Sequence, residues 1–405
     1  MSRLVMTHAL VSIVASGALA PSVEAQERLL NRRNVDAGPM FQTWKFADGL
    51  QQPGTTGKRV TGASQLALPL SGLVPINDAW AIDVSTAYAY GKVTFENSEL
   101  PRETQDFELQ GFTDTRLRVV GRIRGDALLL TLGATLPTGT VKLDRDQLQA
   151  LRVLGAPALR MPVPGLGNGP GGTTGIVATR EVGAWAVAGG AAYELRARYA
   201  PVAAATAGAS DIDFDPGDAI HLTLGADRLI GQNAFTMGVA ADLFTTGKVS
   251  GGVQSESRLG PVVTTDVQYR MANTRLRRVG LREITVFGAE RFRSPFTLNG
   301  EKKDGSSGHE GEFGMTTTVP FGRALGLSAT GVLAYSSGLS VDNSLTTAAF
   351  RSASLQLGLP YRLGGDVVIR PYAGVQAGRI KSGTGVASSV SAGGISAGLT
   401  LSTEF

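Results

Sequence analysis

The sequence predicts an all-β fold: a transmembrane antiparallel β-barrel of about 14–16 strands preceded by a signal peptide. Three observations carry that expectation. The chain ends in a run, Gly393 to Phe405, that alternates apolar with small or polar side chains up to a terminal aromatic. It begins with the layout of an export signal. Between the two ends the same alternation recurs in many segments, joined by connections that are short and long in turn, as periplasmic turns and external loops are.

At the start, Met1-Ser2-Arg3 supplies a positive n-region, Leu4 to Leu19 an apolar stretch, and Val23-Glu24-Ala25 a small-x-small site before Gln26. Residues 1–25 are expected to be removed. The apolar stretch falls short of the roughly 20 residues a spanning helix needs, and no later segment reaches that length. Composition agrees with an exported barrel: 405 residues include 53 Gly and no Cys, with 42% hydrophobic and only 18% charged residues. Without Cys there is no disulfide framework and no thiol chemistry. The net charge of +4 is spread along the chain rather than gathered in a patch. That spread disfavours a nucleic-acid partner and suits a basic channel lining.

Residues 26–57 form an N-terminal segment with two readings. It is either a hatch or, through Phe41 to Gly49, the first strand of a barrel that otherwise occupies 58–405. The first reading gives about 14 strands and the second about 16, both even as single-chain bacterial barrels require. The clearest strand is Trp80 to Tyr90, where Trp80, Ile82, Val84, Thr86, Tyr88 and Tyr90 share the face expected to meet lipid. Asp83, Ser85, Ala87 and Ala89 share the face expected to meet the lumen. Short turns are expected near 74–76, 125–126, 183–184, 229–231, 273–275, 321–323 and 363–365. Long loops are expected around 52–57, 96–113, 138–171, 200–217, 248–257, 294–308, 338–348 and 382–391. In the final strand Ile395, Ala397, Leu399, Leu401 and Thr403 share one face. Such a strand looks like the last one of a bacterial outer-membrane barrel, and its terminal Phe405 resembles the signal read by the barrel-assembly machinery. The resemblance implies that machinery, outer-membrane lipid and lipopolysaccharide as partners, with the bacterial outer membrane as location.

The expected lumen chemistry centres on Thr115 to Gly125, where Arg116, Arg118, Arg122 and Arg124 alternate with Leu117, Val119, Gly121 and Ile123. Four guanidinium groups share one face. An Arg facing lipid at mid-membrane costs roughly 2–4 kcal/mol, so the ladder is expected to point inward. Two uses stay open: a rail for anions or headgroups, or bracing of the wall through carboxylates such as Asp83, Asp227, Asp242 and Asp266. Loop 138–171 is the second feature. Asp144 to Leu154 reads as a short amphipathic helix bearing Leu148, Leu151 and Leu154, followed by Leu159, Met161, Val163 and Leu166. That much apolar surface must be buried, either in the barrel mouth or as a platform for ligands.

The run Gly111 to Arg118, its partner Leu128 to Leu136, the sequence Leu136-Pro137-Thr138-Gly139, and Asp215-Pro216-Gly217-Asp218 resemble outer-membrane proteins of the meta-pathway phenol-degradation family, which is related in style to FadL-type channels. The resemblance covers roughly residues 79–260. It implies passive uptake of small hydrophobic or aromatic compounds, with the loop leucines collecting ligand. The alternatives are a general or anion-favouring diffusion porin, suggested by the arginine ladder, and a barrel with a structural or surface-interaction role.

Other motifs fall short. Gly167-Asn168-Gly169-Pro170-Gly171-Gly172 fits G-x-G-x-x-G but contains Pro and opens no helix. Asp211, Asp213, Asp215 and Asp218 are spaced like a calcium loop, yet Pro216 and Leu222 stand where Gly and Glu are needed. No metal or cofactor is expected. Beyond residue 26 only His221 and His309 are neutral-pH bases, and neither has a second catalytic group fixed by spacing, so no enzyme is expected.

Overall fold

A computed structural model describes residues 34–51, 58–97, 103–123, 127–202, 212–250, 255–304, 306–337, 347–364, 367–382 and 389–404. The expected signal peptide, Arg124 and Phe405 lie outside these residues. The described residues form a closed antiparallel barrel of 16 strands. In order these are β1 (Asn34–Ala37 continued by Met40–Gln51), β2 (Lys58–Asn77), β3 (Trp80–Asn97) and β4 (Thr104–Phe112 continued by Thr115–Ile123). Then come β5 (Leu128–Leu136), β6 (Gly171–Val182), β7 (Trp185–Arg196), β8 (Ala219–Ile230), β9 (Asn233–Phe244) and β10 (Val262–Met271). The circuit finishes with β11 (Glu283–Arg293), β12 (Gly308–Phe321), β13 (Leu325–Ser337), β14 (Thr347–Gly358 continued by Tyr361–Leu363), β15 (Val367–Ser382) and β16 (Ser389–Glu404).

Each strand pairs with its sequence neighbour, and β1 closes the ring by pairing with both β2 and β16, with Met40 opposite Gly398 and Asn34 opposite Glu404. The described part of the N-terminal segment is therefore a stave of the wall. β1 is interrupted at Gly38, whose φ of 151° suits Gly and whose backbone lies against the Leu399 carbonyl, where no Cβ would fit.

The period-two alternation sorts side chains between lipid and lumen as the sequence implies. The outer face carries large exposed aliphatics, among them Leu224, Leu333, Val375, Ile395 and Leu399. Such a belt around a closed barrel is a lipid-facing surface, and the chain is an outer-membrane β-barrel. On that face Trp80 lies across Gly121, its register partner, where an added Cβ would meet the indole.

Two boundaries differ from the sequence reading. Residues 74–76 are not a turn: β2 runs on to Asn77, whose side-chain oxygen accepts from the Ala79 and Trp80 amides and closes a tighter turn. Nor is 96–113 one long loop, because Thr104–Phe112 is strand. Its Phe107 and Leu109 point inward into an apolar cluster, and the break to the arginine-bearing half of β4 is only Thr113-Asp114.

One end of the barrel carries the tight turns, plus a five-residue helix (Thr274–Arg278) between β10 and β11. The other end carries the long connections. There, six short strands (Tyr199–Val202, Ile212–Asp215, Gly247–Ser250, Ser255–Arg258, Thr297–Leu298 and Glu301–Lys302) form a separate sheet above β7–β12. This sheet raises one side of the external rim.

Candidate functional site: a loop folded into the barrel and the polar wall beside it

The long connection between β5 and β6 turns inward. Its helix α1 (Arg145–Leu154) starts on a reciprocal cap: the Gln147 amide donates to Asp144 Oδ1 at 2.8 Å, and the Asp144 amide donates to Gln147 Oε1 at 3.0 Å. The helix packs against the inner faces of β2, β3 and β4. Leu154 occupies the space over Gly91, where an added Cβ would stand 2.3 Å from its Cδ1. After the helix, a single 3-10 turn at Pro157–Leu159 carries the chain on across the lumen.

The wall beneath the loop is apolar. Trp44 and Phe46 of β1, Val60, Ala63 and Ala67 of β2, Val93 and Phe95 of β3, Phe107 and Leu109 of β4, Phe350 of β14, Ile380 of β15 and Ala392 of β16 form one buried cluster with Leu143, Val153, Leu154, Leu159, Met161, Val163 and Leu166 of the loop. Aromatic rings set its floor, with Trp44 edge-on to Phe350 at 5.5 Å and Phe95 against Phe107 at 4.9 Å.

Polar side chains of the wall then satisfy the loop backbone, which has no strand partner of its own. Trp44 Nε1 and Gln42 Nε2 donate to the Leu159 carbonyl at 2.9 and 2.7 Å. Buried Gln65 donates to the Val163 carbonyl at 2.6 Å and accepts from the Val163 amide at 2.8 Å. Asp114 accepts from the amides of Gly139 and Asn168 at 3.0 and 2.6 Å. On the far side the Arg160 guanidinium pairs with the Glu312 carboxylate of β12. The loop is thus strapped to both sides of the barrel.

The ligand-loop leucines are found in this packing. Leu154, Leu159 and Met161 are buried against the wall, while Leu148 and Leu151 are partly buried at the edge of the cluster. The arginine ladder lies toward the periplasmic end of β4. Arg118 Nη2 pairs with Asp83 Oδ2 at 2.8 Å, Arg122 donates to the Asp78 carbonyl, and Arg116 is exposed. Of the other carboxylates considered as braces, Asp242 is engaged by His221 instead.

The inner faces of β5–β12 contrast with the cluster. Thr131, Thr173, Thr223, Thr264 and Gln268 line them and are only partly buried. His221 bridges two carboxylates there, Nδ1 to Asp242 at 2.8 Å and Nε2 to Glu194 at 3.0 Å. Arg291 pairs with Glu310 at 3.6 Å. Just above β8, Asp218 accepts from the Tyr193 hydroxyl and the Arg196 amide, which hold its carboxyl below the usual carboxylate range.

Glu194 was not singled out by the sequence. Asp242 was, but only as a partner for arginine. The two-residue turn at Gly231-Gln232 places Asp242 directly opposite His221 once pairs are counted outward from it. The acidic positions 215 and 218 are spent on contacts of this kind, Asp215 accepting from the Gly217 amide. Among the described residues no group of three or more His, Cys, Asp or Glu side chains is arranged to hold a metal.

No family model matches the chain, and no curated protein matches it. Solved structures of similar shape include an outer-membrane channel from Pseudomonas putida F1 (11% identity, 92% of this chain and 96% of that one, TM-score 0.37). Others are OprB of Pseudomonas putida (8%, 94% and 95%, 0.43) and a FadL homologue of Pseudomonas aeruginosa (11%, 92% and 90%, 0.42). Identities and scores this low leave the reading below to rest on this chain's own residues.

Proposed function

We propose that the chain is an outer-membrane channel through which small polar or charged solutes diffuse passively, and that it is not an enzyme. The observation that carries this reading is the division of the lumen. Its apolar side is filled by residues 137–170, whereas the side lined by β5–β12 keeps partly solvated hydroxyl, amide and charged groups. A barrel of 16 strands is wide enough to leave an aqueous path beside an inserted loop. A solute passing the loop meets Arg116 and the Arg118–Asp83 pair on one wall and the His221–Asp242–Glu194 and Arg291–Glu310 groups on the other, so the path is lined by charged and polar groups. The test is planar-bilayer conductance of the refolded protein in potassium chloride. Stable ohmic openings are expected, and a wild type that stays closed at all voltages would overturn the reading.

Uptake of small hydrophobic or aromatic compounds is the second reading, favoured by the half-buried Leu148 and Leu151 at the margin of a large apolar cluster. It requires the loop to leave the wall. Faster uptake of a phenol than of a similar-sized sugar by liposomes bearing the protein, abolished by Leu148→Asp, would decide for it.

A further inference from the structure

The outer wall carries a cationic group that the lumen reading does not use. On β14 and β15, strict alternation places Ala353, Leu355 and Leu357 with Arg351, and Val375 and Ala377 with Arg379 and Lys381, on the lipid face. Arg351 and Arg379 are register partners, directly opposite one another in the ladder, and Lys381 is two residues further toward the external rim. Side chains so paired lie about 5 Å apart at Cβ, and like charges in that relation destabilise a sheet. Among the described residues none of the three has an acidic partner. Glu290 of β11, an outward carboxylate in the groove that Arg351 borders, is occupied by the Tyr335 hydroxyl and by His309 Nδ1 at 3.0 Å.

Immediately beside Arg351 the surface is grooved and greasy. Phe313, Leu333 and Tyr335, all strongly exposed, line a groove of about 370 Å³ that Arg351 borders and that Glu290 and Glu312 also line, the first engaged by Tyr335 and His309 and the second by Arg160. Along the strands, Leu333 and its register partner Phe313 lie two residues nearer the middle of the barrel than the Tyr335–Arg351 pair. Its position at the end of the barrel bearing the long loops puts the cations at headgroup level of the outer leaflet.

We propose that Arg351, Arg379 and Lys381 bind the phosphoryl groups of a multiply phosphorylated glycolipid of the outer leaflet, with one acyl chain lying along Phe313 and Leu333. Three cations on two adjacent strands suit a headgroup with more than one phosphate, since each guanidinium can hold a phosphate through paired hydrogen bonds. An anion between Arg351 and Arg379 also turns a repulsive cross-strand pair into a bridged one. The site is outside the lumen, so it stands or falls independently of what the channel carries.

Native mass spectrometry of the full-length, detergent-folded protein tests this with diphosphoryl lipid A and phosphatidylglycerol as separate probes. The wild type is expected to retain diphosphoryl lipid A roughly tenfold better than phosphatidylglycerol, and roughly tenfold better than the variant R351Q/R379Q/K381Q does. Equal retention by variant and wild type overturns the site, and equal retention of the two lipids overturns the assignment to a multiply phosphorylated headgroup. Competition by millimolar inorganic phosphate alone would overturn the lipid in favour of a free anion. Resistance of the folded band to SDS without boiling reports folding. Should the triple variant fail to fold, R379Q alone is expected to lose part of the retention, and no loss there overturns the proposal.

Discussion

Two sides of one lumen are built on the same alternating strands and do opposite things. On β1–β4 and β14–β16 the inward set toward the outer end is Trp44, Phe46, Val93, Phe95, Phe107, Leu109 and Phe350, and it is sealed by a folded-in loop. On β5–β12 the inward set includes Thr131, Thr173, His221, Thr223, Glu194, Asp242 and Gln268, left partly solvated, interspersed with buried Leu129, Val262 and Phe287. Period two decides only which residues share a face. Whether that face becomes a core or a channel lining is decided by what the residues are, and by whether a loop exists to cover them.

The sharpest way to break the contrast is to remove the loop. Deleting residues 144–166 should raise single-channel conductance several-fold, because the apolar side would then also admit water. Unchanged conductance would mean the path never ran past the loop. Trp44→Ala comes next: the site loses a fully buried indole and its bond to the Leu159 carbonyl, at a cost of about 3–5 kcal/mol read from urea unfolding in lipid vesicles. The analogous change on the polar side, Thr223→Ala, is expected to stay within about 0.5 kcal/mol. Gln65→Leu should cost about 1–3 kcal/mol, since it strands both backbone groups of Val163, and noisier channel traces should accompany it as the loop loosens. Arg118→Ala should likewise cost little stability. Its pair with Asp83 is exposed, so under about 1 kcal/mol is expected. Reversal-potential measurements in a salt gradient should nevertheless shift toward cations; unaltered selectivity would leave Arg118 as a brace.

Much of this architecture is legible in the sequence. The lipid-facing sets of β3 and β16, the inward side of Arg116, Arg118 and Arg122, and the helix beginning at Asp144 all follow from spacing, whereas spacing alone leaves open whether Arg118 pairs with a carboxylate, as it does with Asp83. The count of 16 follows once Phe41 to Gly49 is taken as a strand. The path of the loop does not follow, because its apolar residues require burial without naming the surface that buries them. A clue is present in Phe107 and Leu109, which alternate with Asp106 and Glu108 as a strand with one apolar face does, here the face toward the lumen. The turn after β2 is harder to place. Pro75 suggests a turn, yet its register partner Ala81 needs no hydrogen bond from it at an irregular strand end.

Closure of the ring by β1 against β16 joins residues at opposite extremes of the chain, Asn34 with Glu404. Every other seam is a neighbour-to-neighbour hairpin that can zip as soon as both arms exist. This one cannot form until the final strand has been delivered, so the sheet must wait as an open ribbon with two unsatisfied edges for the whole interval. A chain shortened at the end of β16 would keep nearly all of its hairpins and still lack the one contact that turns a ribbon into a vessel.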